Sequence, residues 1–232
     1  GELSKEIDSL QRDTRSSERH AQLAFARAAL AKRQGDDLKF TISVKEANRR
    51  IAKFRPYFGD DISNLQNAIR DQFRDEHATI VATPKLPSMP IFVMGLPRSG
   101  TTLLERMLSS AEDVVGLGEV SLLNRYFAEQ IVTGSTITKG LSGLRAAYSK
   151  FQQNVGNSKW TIDKMPANYM HMGWINRAFP EAKIILLRRD SKDIALSLYE
   201  NYFDDAGQNF TFDEASIAHQ ISLFEETITG WR

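Results

Sequence analysis

A glycine-rich loop lies between a short apolar run and a helix-compatible segment. It reads Gly95-Leu96-Pro97-Arg98-Ser99-Gly100-Thr101-Thr102 and follows Ile91-Phe92-Val93-Met94. Glycines let backbone N–H groups turn toward a ligand, and the start of a helix carries unpaired N–H donors with partial positive charge. Together with the threonine hydroxyls, this pattern predicts a cradle for a phosphate-like anion.

The loop has the G-x-x-x-x-G frame of a P-loop but lacks its lysine. Nucleotide triphosphatases place Lys and then Ser or Thr after the second glycine, whereas Thr101 and Thr102 follow Gly100 here. The cation within the loop is Arg98, which would lie alongside the anion. A sulfuryl group carries one negative charge fewer than a phosphoryl group, so fixed cations and N–H dipoles suffice for it without a metal. The pattern therefore favours phosphosulfate over triphosphate.

A second candidate anion site follows the apolar run at 184–187. Arg188 and Arg189 come directly after this run, and Ser197 stands eight residues beyond Arg189. Ligands of parallel sheets bind at the carboxyl ends of strands, and the planar fork of arginine suits a dianionic phosphate. Taken alone, these residues also fit the charged start of a solvated helix. Combined with the first loop, they are candidates for a second phosphate site.

The elements that position these motifs alternate along the chain. Short apolar runs at 91–94, 160–162 and 184–187 each precede a segment with helical spacing, which is typical of a parallel sheet. We expect an α/β fold of the P-loop type, with three layers and a central parallel sheet. Thr211 and Glu214 fit a capping box and predict a last helix that ends near Trp231.

A helical segment is predicted before this fold. Residues 17–33 are rich in alanine, leucine and arginine, and apolar residues then recur every three or four positions from Phe40 to Phe54. Two such helices joined by a glycine-containing turn resemble one tetratricopeptide repeat, and an ordinary helical hairpin is the alternative. We predict a helical segment with a connecting helix at 1–84 and the P-loop-like domain at 85–232.

The composition limits partners and location. Lysine and arginine together number 30, against 29 acidic residues. The net charge is therefore too small to attract nucleic acid or an anionic membrane to the protein as a whole. There is no cysteine, which excludes thiolate metal sites and a cysteine nucleophile. No apolar run approaches the length of a membrane span. We predict a cytoplasmic protein without nucleic-acid or membrane partners.

The spaced motifs resemble those of sulfotransferases that use 3′-phosphoadenosine-5′-phosphosulfate (PAPS). In that family a P-[KR]-S-G-T-T loop binds the 5′-phosphosulfate, and an Arg and a Ser eight positions apart bind the 3′-phosphate. With Gly118-Glu119 and Asp163-Lys164-Met165-Pro166, the sequence is most similar to bacterial tetratricopeptide-repeat sulfotransferases, relatives of the tyrosylprotein sulfotransferases. The likeness covers roughly residues 90–232, and more loosely the helical pair.

The resemblance implies a role for each matching position. Glu119 falls at the place of the catalytic base, and Lys164 and Arg98 would neutralise charge on the sulfonate and on the departing phosphate. The remaining positions would bind the donor: Arg98, Ser99, Gly100, Thr101 and Thr102 at the phosphosulfate, and Arg189 with Ser197 at the 3′-phosphate. PAPS would be the donor and 3′-phosphoadenosine-5′-phosphate (PAP) the product, with no metal.

The resemblance also implies an acceptor hydroxyl, on a peptide tyrosine, a carbohydrate or a small molecule. The helical segment is a candidate surface for protein contacts. His20, His77, His171 and His219 fall outside the motifs and are expected to be ordinary surface or core residues. The family usually continues beyond Trp231 with another strand and helices, so we expect a chain truncated at its C-terminus.

Two other functions stay open from the residues alone. A P-loop kinase or nucleotide triphosphatase would need magnesium and the lysine that the loop lacks. A non-catalytic helical-repeat interaction module, fused to a degenerate nucleotide fold, would lack catalytic groups such as Glu119 and Lys164.

Overall fold

The structure is a computed structural model that describes residues 5–7, 9–10, 17–75, 83–133, 137–155 and 158–231. The chain forms two compact units, one from residues 1–60 and 191–222 and the other from residues 61–190 and 223–232. Each unit thus draws on two separate stretches of chain. The division into residues 1–84 and 85–232 stays a prediction.

α-Helices make up much of the described part of the chain. They are α1 (Ser17–Arg33), α2 (Asp37–Ile51), α3 (Gly59–Asp75), α4 (Thr101–Leu108), α5 (Leu122–Thr133), α6 (Ile137–Gln153), α7 (Met172–Ala178), α8 (Ser191–Tyr199) and α9 (Glu214–Gly230). Two 3₁₀ helices cover Pro166–His171 and Ala206–Phe212. Within the described ranges, no helix is both long and apolar enough to cross a membrane.

Four parallel strands form the sheet of the second unit. They are β1 (Met89–Gly95), β2 (Val114–Gly116), β3 (Trp160–Lys164) and β4 (Lys183–Leu187), in the order β2-β3-β1-β4. The register places Val93 opposite Lys164 and Gly95 opposite Leu187. The predicted α/β class with a central parallel sheet and a preceding helical segment is confirmed.

The core of the second unit lies against the central strand. Phe92 on β1 is fully buried and packs its ring on Tyr148 of α6 and on Phe179, with centroids 5.7 and 5.4 Å apart. Arg145, also on α6, is buried, and its guanidinium donates to the carbonyls of Pro84 and Ala178 and to the Glu181 carboxylate. Because each guanidinium nitrogen has an acceptor and Glu181 balances the charge, the buried arginine is tolerated inside the unit.

The first unit contains the predicted helical pair. The turn between α1 and α2 uses Gly35 at φ +71°, and Asp36 caps α2 by accepting from Lys39 N at 2.9 Å. Small and apolar side chains from both helices pack with Phe212: Ala21, Ala24, Phe25, Ala47 and Ile51. The hairpin therefore shares its apolar face with Phe212, and its assignment as a tetratricopeptide repeat stays a prediction.

Several local predictions differ from the structure. The capping box is wrong: Asp213 caps α9 through Ser216 N at 2.9 Å, and the Thr211 hydroxyl donates to Gln208 O within a 3₁₀ helix. Helix α2 ends at Ile51, before Phe54. The sequence reasoning also missed β2, α5 and α6. Strand β2 has only three residues, too short for a period-2 pattern to be visible.

Candidate active site

The predicted motifs of the second unit lie at the end of a strand or immediately after it. The glycine loop follows β1, Gly118 and Glu119 follow β2, Lys164 ends β3, and the arginine pair follows β4. Because all four strands are parallel, these ends share one edge of the sheet. The fold therefore brings together residues that are separated by up to 94 positions.

The glycine loop has a backbone that side chains would obstruct. Gly95 has φ +152°, and a Cβ there would lie 2.6 Å from Leu187 O of the neighbouring strand. Gly100 has φ +104° and precedes α4 without a side-chain cap, so the first N–H groups of the helix keep their donors for another partner. Arg98 is exposed and has φ +71°, a left-handed conformation that is rare outside glycine.

Ser99 is a buried hydroxyl inside this loop. The residue is 8% exposed, and its Oγ has no hydrogen-bond partner among the described residues. A Cβ built on Gly95 would lie 3.0 Å from this oxygen, so the hydroxyl lies against the glycine backbone of the loop. Buried polar groups without a partner are rare because they lose their hydration. A bound anion would supply the missing acceptor.

The two arginines after β4 have different partners. Arg188 forms an ion pair with Glu225 at 2.5 Å, whereas Arg189 Nη1 donates to the backbone oxygen of Arg98 at 3.2 Å. Arg189 therefore contacts the glycine loop. Ser197 lies in the second turn of α8, which belongs to the first unit, and its pairing with Arg189 stays a prediction.

Glu119 and Lys164 form an ion pair. Lys164 Nζ lies 2.5 Å from Glu119 Oε1, and the two side chains are 7% and 55% exposed, respectively. A buried ammonium group requires a charged or polar partner, which Glu119 provides. The backbone keeps the pair together, because Lys164 N donates to Gly118 O at 3.0 Å. A half-exposed carboxylate beside a buried ammonium is a suitable arrangement for proton transfer from a bound substrate.

Asp163 belongs to the Asp163-Lys164-Met165-Pro166 motif, but no role was predicted for it. It is fully buried on β3, and Tyr148 donates to its Oδ2 at 3.4 Å. Burial raises the pKa of the Asp163 carboxyl to about 8; the Glu105 charge also raises it, and the Tyr148 hydrogen bond and Lys164 lower it. Its position in a strand buried on both faces was the available signal, since strands of this kind rarely carry a carboxyl.

Glu105 on α4 was not identified from the sequence. Its Oε1 accepts a hydrogen bond from Gly118 N at 2.8 Å, next to Glu119. The one sequence signal was its helical spacing from Thr101, four residues earlier and directly after the loop. Contact with a turn thirteen residues further along depends on how α4 packs against β2.

His171 is a core residue of the second unit. His171 is buried and stacked on Phe127 with ring centroids 4.1 Å apart, and burial lowers its pKa to about 3. His77 lies outside the described residues. Among the residues that are described, no three His, Asp or Glu side chains converge as metal ligands.

The fold and the site define an α/β protein with a glycine-rich loop and a carboxylate–ammonium pair at one edge of a parallel sheet. Residues 90–231 match the model of the family described as "Sulfotransferase family". The chain therefore belongs to the sulfotransferase family.

Relatives with similar sequences include proteins of three organisms. An uncharacterized protein of Aquifex aeolicus (strain VF5) is 30% identical over 167 residues, which cover 61% of this chain and 21% of that protein. A Caenorhabditis briggsae protein named "Putative protein-tyrosine sulfotransferase" is 32% identical over 136 residues, covering 55% and 48%. Nodulation protein NoeE of Sinorhizobium fredii (strain NBRC 101917 / NGR234) is 28% identical over 159 residues, covering 60% and 36%. The chain spans less than half of each relative.

Proposed function

We propose that this protein transfers a sulfuryl group from PAPS to an acceptor hydroxyl by in-line displacement and releases PAP. The observation that carries the proposal is that the glycine loop and the Glu119–Lys164 pair lie at the same edge of the sheet. A transferase needs its donor site next to the group that accepts the proton. Membership of the sulfotransferase family supports the same reaction.

The loop residues fit the phosphosulfate end of the donor. The unpartnered Ser99 hydroxyl, the uncapped start of α4 and the exposed Arg98 would all donate to an anion. Thr101 and Thr102 add hydroxyls in the first helical turn. Gly95 lets the loop pass close to β4, since a Cβ there would collide with the Leu187 carbonyl oxygen.

The 3′-phosphate would be held by Arg189 and Ser197. Arg188 is engaged by Glu225, whereas Arg189 already points its guanidinium at the glycine loop. This difference supports Arg189 as the residue that binds the donor. A planar guanidinium can make two parallel hydrogen bonds to a phosphate.

PAPS supplies an activated sulfuryl group, and the chain supplies charge and a proton acceptor. Glu119 would accept the proton of the acceptor hydroxyl at its exposed carboxylate. Lys164 and Arg98 would place positive charge where negative charge develops. A carboxylate is a much weaker base than a phenolate, and these cations favour the ionised form of a phenol acceptor.

The acceptor would be a hydroxyl on a peptide tyrosine, with carbohydrate and small-molecule hydroxyls as the other candidates. The name of the C. briggsae relative supports a tyrosine acceptor. We also propose that the helical segment contacts a protein acceptor. The proposed location of the protein is the cytoplasm.

The donor is tested by thermal unfolding of the chain with PAP and with ATP plus magnesium. We expect PAP at about 100 times its Kd to raise the free energy of unfolding by about 2.7 kcal/mol. Arg98→Ala should lose this stabilisation, and Arg106→Ala, an exposed arginine on α4 outside the loop, should keep it. Stabilisation by ATP plus magnesium alone, or by neither ligand, would overturn the assignment of PAPS. Mass spectrometry of molecules sulfated in the presence of PAPS then identifies the acceptor.

A further inference from the structure

The turn that presents Glu119 is attached to β3 by its backbone. Leu117 N donates to Ile162 O at 2.8 Å, and Lys164 N donates to Gly118 O at 3.0 Å. On the other side, the Gly118 N–H points toward α4 and donates to Glu105 Oε1 at 2.8 Å. The turn is therefore held between a strand and a side chain.

Packing alone does not hold Gly118 in its conformation. Gly118 has φ +67°, and a Cβ built there would meet nothing within 4 Å. Its open surroundings leave hydrogen bonds as the means of fixing the turn. The Gly118 N–H has its acceptor in Glu105 Oε1 at 2.8 Å, a normal hydrogen-bond distance, so this oxygen is placed to fix the turn.

Glu105 reaches the turn because α4 approaches β2 closely. A Cβ built on Gly116 would lie 3.1 Å from Glu105 Oε1 and 2.7 Å from Ser109 Oγ. A larger residue at position 116 would thus push α4 away from the strand. The absence of a side chain there is what places Glu105 within hydrogen-bond distance of the next turn.

Helix α4 also begins at the glycine loop. Thr101, in its first turn, is buried, and Glu105 follows it by four residues on the same face of the helix. One short helix therefore has the anion cradle at its start and the contact to the Glu119 turn one turn later. A shift of the loop would be transmitted to Gly118 through this helix.

We propose that Glu105 is a positioning residue that fixes the Gly118–Glu119 turn by accepting the Gly118 N–H, and so couples the anion-binding loop to the proton acceptor. This inference rests on the proposed function, because it takes Glu119 as the base. Glu105 acts through Gly118 and does not contact the reacting atoms.

Two variants separate the hydrogen bond from the charge. Glu105→Gln keeps an oxygen at the same reach and removes the charge, whereas Glu105→Asp keeps the charge and shortens the side chain by one methylene. We expect Glu105→Asp to lower kcat by about 10- to 100-fold, as for a small misplacement of a reacting group. The KM for PAPS and the Kd for PAP should change by less than about threefold, and Glu105→Gln should stay within about threefold of the wild type in kcat.

Hydrogen exchange of the Gly118 amide provides a readout that needs no activity. Exchange should be slow in the wild type and in Glu105→Gln and faster in Glu105→Asp. Unchanged exchange in Glu105→Asp, or a larger loss of kcat in Glu105→Gln than in Glu105→Asp, would overturn the positioning role. Absence of sulfuryl transfer by the wild-type protein would instead overturn the proposed function, and with it the link to catalysis, while the exchange pattern still reports whether Glu105 holds the turn.

Discussion

Glu119 and Lys164 lie in different surroundings although they touch. The lysine is almost fully buried, whereas more than half of the glutamate side chain is exposed. Only the glutamate can therefore reach a substrate hydroxyl without a rearrangement of the sheet edge. The buried ammonium is the fixed charge of the pair, and the exposed carboxylate is the group suited to exchange a proton.

Replacement of Glu119 by glutamine tests its role as the base. The amide has the same shape and still offers an oxygen to Lys164, so we expect the PAP affinity to be retained. A neutral amide cannot accept the proton, and kcat should fall by about 10² to 10⁴-fold. Glu46→Gln, at an ion pair on α2, is the matched control and should keep full activity. Retained turnover in Glu119→Gln would remove Glu119 as the base.

Asp163 makes stability depend on pH. Its pKa in the folded protein is raised by burial to about 8 from an ordinary value of 3.8. The folded state therefore holds a proton that the unfolded state releases. Stability from this group is complete below about pH 4 and is lost as the pH rises toward 8.

We expect Asp163→Asn to remove this dependence, because asparagine does not ionise. The free energy of unfolding of the wild type should fall relative to that of the variant by on the order of 1 kcal/mol per pH unit between pH 5 and 8. Urea unfolding at several pH values measures the difference. Asp60→Asn, at an exposed carboxyl, is the control. Parallel curves for the wild type and Asp163→Asn would contradict the prediction.

At the scale of elements, Gly95 and Gly118 are required for different physical reasons. Gly95 is where the first turn of the loop passes against β4, and the backbone of Leu187 occupies the space that a Cβ would need. Gly118 has the left-handed conformation but open space around it. A side chain at position 95 is therefore excluded by packing against β4. At position 118, only the left-handed backbone conformation disfavours a side chain.

Alanine at each glycine should separate these two effects. Gly95→Ala is expected to cost several kcal/mol, since a backbone clash at 2.6 Å forces β1 and β4 apart. Gly118→Ala should cost only about 1–2 kcal/mol, the penalty of a left-handed conformation. Chemical denaturation gives both values, and equal costs would show that β4 does not lie against Gly95.

At the scale of the whole molecule, each compact unit is built from two distant stretches of chain. In the first unit, Phe25 of α1 packs its ring on Tyr202 and Phe212, with centroids 5.6 and 6.4 Å apart. The N-terminal hairpin thus shares its core with residues that follow β4. The helical pair is part of a folded unit and not an independent appendage.

Truncation of Phe25 tests this shared core. Phe25→Ala should lower the free energy of unfolding by about 3–5 kcal/mol, the usual cost of removing a buried aromatic ring. Leu38→Ala, at a residue that is 73% exposed, should change it by less than about 0.5 kcal/mol. Urea denaturation followed by circular dichroism compares them. If Phe25→Ala lowered the free energy of unfolding as little as Leu38→Ala, the hairpin would not pack on residues 191–222.

The sequence by itself determined the parts whose chemistry is local. Apolar runs bounded by glycine and charge located β1, β3 and β4, and helix-forming composition placed α1 with its correct ends. The spacing of Gly95, Arg98 and Gly100 predicted an anion cradle, because a strand, a turn and a helix start are fixed by neighbouring residues. The resemblance of the spaced motifs to those of sulfotransferases is confirmed by the family match over residues 90–231.

Only the tertiary structure decided which side chains meet. The contact of Glu105 with Gly118 needs a glycine at 116, and the burial of Asp163 beside Tyr148 needs α6 to pack over β3. Strand β2 is too short to show a pattern, whereas α6 could have been predicted, because its buried residues Ile137, Leu141, Leu144 and Tyr148 have helical spacing. The contacts of Glu105 and Asp163 could not, because they join residues that are distant in the chain, and their energies depend on strand register and helix packing, which no local pattern encodes.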